Sequence, residues 1–404
     1  MEFMQQQERY ILSLNSGSSS LKFALYSLGR AETLLATGAV ERISLEGGRL
    51  WLKNGQGQVL EDTHTVFPHH YQAVEAMFTA LETHHLPMPE AVGHRLVHGG
   101  PEHEVPQRIT PDLVTRLKQL IPFAPLHLPD EIEAIQAVRH HYAALPQVAC
   151  FDTAFHRRMP AVAQRLPLSR WLWHEGVHRY GFHGLSYEYI LAALTDAAQG
   201  RLIIAHLGSG ASMAAVQDGQ PLDTTMGFTP LGGLVMATRP GDLDPGLLLY
   251  LLQEKGYTPA ALTDLLNHRS GLVGISGISP DMKTLLQRRA EEPHAAQAVE
   301  LFVYQARKHL GAMAAVLNGL DTLVFTGGIG ENAPLVRQLI CQDLEFLGIH
   351  LAIQRNQANA DVISAEGSPA TVRVIKTNEE LIIARHTAAL IKKRGHHDKH
   401  IQSL

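Results

Sequence analysis

The chain opens on an alternation of apolar and polar positions. In YILSLNSGSSSLKFALYSLG, residues 10 to 29, an apolar run enters a small polar glycine loop and leaves as a second alternating run, a pattern that predicts two strands joined by a turn. LIIAHLGSGASMAAVQDG, residues 202 to 219, repeats it. Superposed without a gap, Asn15 falls on His206, Gly17 on Gly208 and Ser20 on Ala211. Two short glycine loops can match by chance, but a spacing near half the chain favours duplication. A third glycine loop, FTGGIGEN at 325 to 332, follows the strand-like DTLVFT and precedes a helical stretch from Ala333 to about Leu347. Upstream, Val299, Phe302, Val303, Ala306, Leu310, Met313 and Leu317 recur at steps of three and four, which marks a buried helix face and nothing more. Further helices are expected near 69 to 85, 111 to 121, 130 to 143, 184 to 198, 246 to 268 and 379 to 392. Strands and helices alternate through both halves, so the fold class is α/β.

At 404 residues the chain exceeds what one core normally organises, and two domains with a ligand-binding cleft are expected. Apolar residues at 45% and charged residues at 18% fit a globular body. A net charge of -5, with no basic block before the tail, argues against nucleic acid as a partner, so an anionic ligand has to be held locally. Cys150 and Cys341 have no metal-type spacing and read as buried small hydrophobes. MEFMQQQERY lacks a basic segment followed by an apolar run, and no stretch approaches a membrane span, so no membrane partner and a cytoplasmic location are expected. The 24 histidines are scattered, and GHHDKH near the C-terminus reads as a solvated tail.

Loops of small residues let backbone N–H groups approach phosphate oxygens closely. NSGSSS adds hydroxyls and an amide and is followed by Lys22, although serine-rich turns also serve as plain connections. Two such loops, one from each half, would converge on one polyphosphate. A second signal is the set of charged or titratable residues in apolar or glycine-rich surroundings: Arg95 in GHRLVHGG, Asp152 in FDTAFH, His183 in RYGFHG and Arg239 in ATRPGD. Each is costly to desolvate without a partner; a structural salt bridge would serve for any one, and a shared anion for Arg95 and Arg239 together. Transfer of a phosphoryl group from ATP to a carboxylate brings two anions together, so it demands charge neutralisation and in-line positioning. An acid of pKa roughly 4 to 5 is already ionised at neutral pH and needs no general base. Asp152 then suits orientation of an arginine, a substrate oxygen or hydrated magnesium. Asn15 and Glu379, the latter from TNEE, are candidate magnesium ligands; Glu379 equally suits the first turn of a helix.

NSGSSSLKF, GHRLVHGG, FAPLHLPD, FDTAFH, RYGFHG, HLGSGAS, MGFTPLGGL, TRPGDLDPG, FTGGIGEN and TNEE occur in the order found in the acetate and propionate kinases, over residues 11 to about 386. The chain resembles that family. The resemblance implies a duplicated actin-like (ribonuclease H-like) ATPase fold with two domains around a nucleotide cleft: 1–150 plus 381–404 as the N-terminal domain with a returning C-terminal helix, and 151–380 carrying most of the nucleotide site. It implies Asn15 and Glu379 as the magnesium pair, with manganese an alternative ion, and Arg95 and Arg239 as substrate and transition-state arginines. His183 would stabilise the transferring phosphoryl group, His127 would be a further active-site histidine and Asp152 the catalytic aspartate. Segments 206 to 210 (His206, Leu207, Gly208, Ser209, Gly210), 281 to 283 (Asp281, Met282, Lys283) and 328 to 332 (Gly328, Ile329, Gly330, Glu331, Asn332) would bind ATP or ADP. Val97, Leu126, Phe182 and Pro230 would receive the alkyl end of a small-molecule carboxylate, acetate before propionate, and the protein would be a homodimer. The sequence departs from the family pattern at Leu128, Ser209, Gly232, Ala237, Pro240 and Lys283, where an asparagine, an asparagine, a glutamate, a glycine, a small polar residue and an arginine are usual.

Two other readings compete. A hydroxyl kinase of the same superfold would need a base for its alcohol, a role open to Asp152, and a non-catalytic actin-like module would bind nucleotide without an acceptor. Paired arginines count against both, since neither needs them.

Overall fold

The computed structural model describes residues 8–392, so the GHHDKH tail lies outside the described residues. The chain divides into two units, 1–154 with 378–404, and 155–377. Asp152 and Glu379 therefore fall in the first unit, whereas the expected bounds set both in the second.

The first unit carries eight strands: β1 (Arg9–Gly17), β2 (Ser20–Leu28), β3 (Glu32–Glu41), β4 (Arg49–Asn54), β5 (Val59–His64), β6 (Ala91–Leu96), β7 (Gln107–Arg108) and β8 (Gln147–Phe151). Their order in the sheet is β5-β4-β3-β2-β1-β6-β8-β7. The first five form an antiparallel meander, while β1, β6 and β8 run parallel. A parallel strand covered on both faces needs apolar residues on both, which is why β1 reads Ile11, Leu12, Leu14 rather than strictly alternating. Leu12 and Leu14 share a core with Val74, Met77 and Phe78 of helix His70–Thr83 and with Ala134 and Val138 of helix Leu128–His141. Ile11 packs with Ala384 and Ala388 of helix Glu379–Lys392. Gly93 of β6 permits that approach, because a Cβ there would overlap Ile383 and Thr387.

The second unit carries β9 (Arg201–Leu207), β10 (Ala211–Gln217), β11 (Gln220–Thr224), β12 (Thr322–Thr326) and β13 (Thr371–Val374), in the order β11-β10-β9-β12-β13. Here too the hairpin strands are antiparallel, and β9, β12 and β13 run parallel. Strands β3-β2-β1-β6-β8 of the first sheet have the same order and directions, so the repeat legible in the two glycine hairpins extends through both sheets in the actin-like arrangement. Tyr187, Ile190 and Leu194 of helix Gly184–Leu194 pack on Leu202, Ile204, Ala214 and Val216. The expected stripe from Val299 to Leu317 is buried along helix Pro293–Val316 and its C-terminal cap.

Three helix expectations are corrected. The stretch 246 to 268 is two helices, Pro245–Gln253 and Pro259–His268: Gly256 adopts φ +69°, and Thr258 caps the second helix by accepting the Ala261 N–H. The stretch 184 to 198 stops as an α-helix at Leu194, because Thr195 takes φ 51°, and only a short 3₁₀ turn follows. The stretch from Ala333 ends at Cys341, where Gln342 turns extended. Both cysteines are buried and unbridged. Among the described residues, no helix is long and apolar enough to cross a membrane.

Candidate active site

Ligands of open α/β sheets gather beyond the carboxyl ends of parallel strands, and the first unit places its predicted residues there. Leu14 of β1 pairs with His94 of β6, and Arg95 with Cys150 of β8, so Asn15, Arg95 and Asp152 stand side by side at the sheet edge. Arg95 donates from Nε to Asp152 Oδ1 at 3.1 Å, from Nη2 to Oδ2 at 2.5 Å, and from Nη1 to Asn15 Oδ1 at 3.2 Å. Glu379 Oε2 lies 3.6 Å from the same Nε. Burial alone would lower the Arg95 pKa, but Asp152 and then Glu379 raise it overall, so the guanidinium stays charged. Burial pushes the Glu379 carboxyl up to about 7; Arg95 opposes this, while Asp152 and Glu380 add to it. Lys22 stands across the β1–β2 hairpin from Asn15.

Asn15 Oδ1 and Glu379 Oε2 both approach one guanidinium and offer the hard oxygen donors magnesium takes, so they fit such an ion. A separate histidine and carboxylate trio, His70, Asp130 and Glu133, has ligand atoms within 4.8 Å of one another. There His70 Nε2 donates to the Gly17 carbonyl at 2.9 Å, and Nδ1 lies 3.5 Å from Glu133, so His70, backed by Glu133, braces the first hairpin turn.

Sequence reasoning missed Glu131. Its two carboxylate oxygens lie 3.1 and 3.2 Å from the Val97 N–H, and burial pushes its pKa up to about 8 against the pull of Arg95. As a first-turn acid of helix Leu128–His141 it looks like an ordinary partner of the helix dipole, and nothing in LPDEIEAI marks it as buried. Val97 itself is buried and Leu126 is exposed, while His127 holds the N-cap position of the same helix. Leu128 is fully buried in a core with Leu96, Ile132 and Phe151, so an apolar side chain suits the position.

The second unit turns its hairpin over residues 208 to 210, one residue longer than the 18–19 turn, with Gly208 N–H donating to the Gly210 carbonyl at 3.0 Å. His183 sits before helix Gly184–Leu194 at φ 60°, a left-handed conformation that costs a non-glycine residue on the order of 1 kcal/mol. The conformation goes with a defined setting. Nδ1 lies 2.8 Å from Ser212 Oγ, which is 2.5 Å from the Tyr187 hydroxyl, and the ring stacks on His206 at 4.3 Å between centroids. His206 Nδ1 meets Ser186 Oγ at 2.9 Å, and Ser186 meets Thr377 Oγ1 at 2.8 Å. Arg239 donates from Nη1 to the Pro230 carbonyl at 2.7 Å. A Cβ on residue 210 would lie 2.9 Å from Arg239 Nη2 and 3.1 Å from His183 Nε2, so both nitrogens converge on the hairpin and glycine leaves them room.

Beside them opens a cavity of 1060 Å³. The hairpin contributes Gly208 and Ser209, the start of helix Met282–Arg288 contributes Asp281, Met282 and Lys283, and helix Gly327–Asn332 contributes Gly328, Ile329 and Asn332, with Arg239 completing the wall. The Asp281 carboxylate also caps its helix, accepting from the Lys283 and Thr284 N–H groups. His206, Leu207, Gly210, Gly330 and Glu331 do not line the cavity. His206 and Leu207 are buried in β9, and Glu331 Oε1 accepts from the Gly327 N–H at 2.9 Å and the Thr377 N–H at 3.1 Å, tying the start of helix Gly327–Asn332 to the segment after β13. Arg337, another residue the sequence did not flag, is fully buried and donates to the Gly330 and Glu331 carbonyls at the end of that helix. Of the remaining predicted residues, Phe182 is buried and its carbonyl meets His156 Nε2, and Pro230 is half-buried.

A duplicated actin-like fold, an arginine set among acids in one unit, and an arginine and a histidine aimed at a glycine hairpin beside a nucleotide-sized cavity in the other define the class: a phosphotransferase. The chain belongs to the Acetokinase family, whose model matches residues 10–385. It is 46% identical over 400 residues to the acetate kinase of Methylocella silvestris, covering 95% of this chain and 98% of that protein. Among solved structures it resembles the acetate kinase of Porphyromonas gingivalis (TM-score 0.86, 37% identity) and a propionate kinase of Francisella tularensis (TM-score 0.89, 38% identity), each covering 95% of this chain and 100% of the other.

Proposed function

We propose that the protein transfers the γ-phosphoryl group of ATP to the carboxylate of a short fatty acid, acetate before propionate, giving an acyl phosphate and ADP reversibly and in line. One carboxylate oxygen forms the new bond to phosphorus as the bond to the β-phosphate oxygen breaks, and no proton need move. Arg95 binds the acid anion, and Asp152 holds the guanidinium in place. Val97, Leu126, Phe182 and Pro230 are read as the contacts for its alkyl end, and each added methylene changes binding by about 1 to 3 kcal/mol, so acetate over propionate is a preference. Arg239 Nη2 and His183 Nε2 stabilise charge on the transferring group, and His127 is read as a further active-site residue. The walls of the 1060 Å³ cavity take ATP. Asn15 and Glu379 would hold a magnesium ion, which when bound neutralises phosphate charge.

The observation that carries this reading is the convergence of Arg239 and His183 on Gly210 beside the cavity. The hydroxyl-kinase alternative is disfavoured because both Asp152 oxygens already accept from Arg95, so the carboxylate is not set up as a base. Exposed Leu247, Leu249 and Tyr250 on helix Pro245–Gln253 support self-association as a homodimer, and a cytoplasmic location suits a nucleotide-consuming enzyme. The test is ADP release in the presence of acetate, propionate or butyrate, with hydroxylamine to trap acyl phosphate. ADP release with glycerol or a sugar, and no hydroxamate with any of the acids, would overturn the reading.

A further inference from the structure

A second cavity in unit 155–377, of 610 Å³, lies against helix Gly327–Asn332 and shares Asn332 with the larger one. None of the groups assigned to phosphoryl transfer lines it apart from Glu331 and Asn332. Its chemistry is set by Arg373 of β13 and Lys376 just beyond that strand. Arg373 Nε is sealed from solvent and meets no acceptor. A guanidinium is charged at every physiological pH, and its terminal nitrogens, unlike Nε, are open to a ligand. Neither cation forms an ion pair among the described residues.

The two acids of the wall do not pair with these cations. Glu331 accepts from the Gly327 and Thr377 N–H groups, and Asp361 stays beyond ion-pair distance of both cations. The amides are polarised by their other bonds. Asn359 Oδ1 accepts from Arg337 Nη2 at 2.6 Å, which leaves its N–H groups to donate. Asn332 Nδ2 donates to the Gly328 carbonyl at 3.0 Å, which leaves Oδ1 to accept. The wall therefore presents Arg373, Lys376 and the Asn359 amide as donors to an anion, and Asp361 and Asn332 Oδ1 as acceptors for hydroxyl groups.

We propose that this cavity is a binding site for a small hydroxylated phosphate ester, such as a polyol or sugar phosphate, separate from the site that takes ATP. Its volume falls within the range of small-molecule sites and suits a ligand of that size. The phosphate meets the terminal guanidinium nitrogens of Arg373 and the ammonium of Lys376, and the hydroxyls pair with Asp361 and Asn332. A ligand there touches the short helix that also walls the larger cavity.

The test is calorimetric titration of the full chain with glycerol 3-phosphate, the protein first saturated with a non-hydrolysable ATP analogue and magnesium. The analogue's own titration, run beforehand, reports on the nucleotide reading separately. Saturable one-to-one binding is expected in the analogue's presence, weakened at least about tenfold in Lys376→Gln, or 1.4 kcal/mol. Lys376 is exposed, so this variant keeps its fold; Arg373→Gln, checked by its melting temperature, serves as the second. Inorganic phosphate is expected to bind more weakly than the ester, and glycerol not at all. The proposal is overturned if no binding is seen up to about 10 mM ester. It is overturned equally if the analogue displaces the ester, if Lys376→Gln binds it unchanged, or if inorganic phosphate binds as tightly.

Discussion

Arg95 grips Asp152 through two separate donors, Nε on one carboxylate oxygen and Nη2 on the other, while its remaining terminal nitrogen reaches Asn15. This paired geometry fixes the plane of the guanidinium, and Asp152, 1% exposed, has little freedom to turn away. Asp152→Asn keeps one acceptor and turns an N–H group toward the guanidinium. The expected result is a loss of about 100-fold in kcat with a raised KM for acetate, measured well below the variant's melting temperature. Full activity in Asp152→Asn would remove Asp152 from the mechanism.

Arg239→Ala removes a donor aimed at the transferring group but leaves the carbonyl of Pro230 able to meet water. We expect kcat to fall by two orders of magnitude or more, in line with about 3 kcal/mol for one transition-state donor, with the melting temperature little changed. A loss below tenfold contradicts the assignment. Arg239→Lys restores little, because an ammonium cannot contact Pro230 and the hairpin together.

Ser212 stands between His183 and Tyr187, and its hydroxyl bonds both. If Tyr187 donates to Ser212 and Ser212 to Nδ1, the imidazole carries its proton on Nε2, the nitrogen near Gly210. Ser212→Ala should lower kcat about tenfold, 1.4 kcal/mol of transition-state stabilisation, while the KM for ATP stays within about twofold. Tyr187→Phe, one step removed, should cost less. An unchanged kcat with a raised ATP KM would mean that His183 binds nucleotide instead.

The hairpins, the alternation of strands and helices and the buried stripe of helix Pro293–Val316 were legible because each is a local pattern of period two or three to four. The grouping of Asn15, Arg95 and Asp152 was not. These residues are separated by 80 and 57 positions, and only the parallel register of β1, β6 and β8 brings them to one edge. Isolated charges in apolar surroundings made Arg95 and Asp152 candidates, but their direct pairing is a property of the sheet. Ser212 and Tyr187 carried no signal at all, since a small residue after a glycine loop and an aromatic on a helix face are ordinary core features. The break at Gly256 was overlooked because apolar spacing runs on at the right period from one helix into the next.

Glu131 ties stability to pH. Its carboxyl, near 4.5 in an unfolded chain, is pushed by burial up to about 8 in the fold; Arg95 and the Val97 N–H oppose the shift, and Asp152 and Asp130 add to it. Between those two values the folded protein keeps a proton that the unfolded chain has lost, so stability falls as pH rises, by at most about 1.4 kcal/mol per pH unit for one group. The penalty is absent below about 4.5 and complete above about 8, and Glu379 adds the same sign up to about 7. Glu131→Gln keeps an oxygen for the Val97 N–H and has no proton to lose. The melting temperature of the wild type should therefore decline between about pH 5 and 8, that of the variant should decline less, and at pH 8 the variant should be the more stable. Parallel curves for the two proteins would mean that Glu131 is already ionised in the fold, and that Arg95 rather than a proton balances its charge.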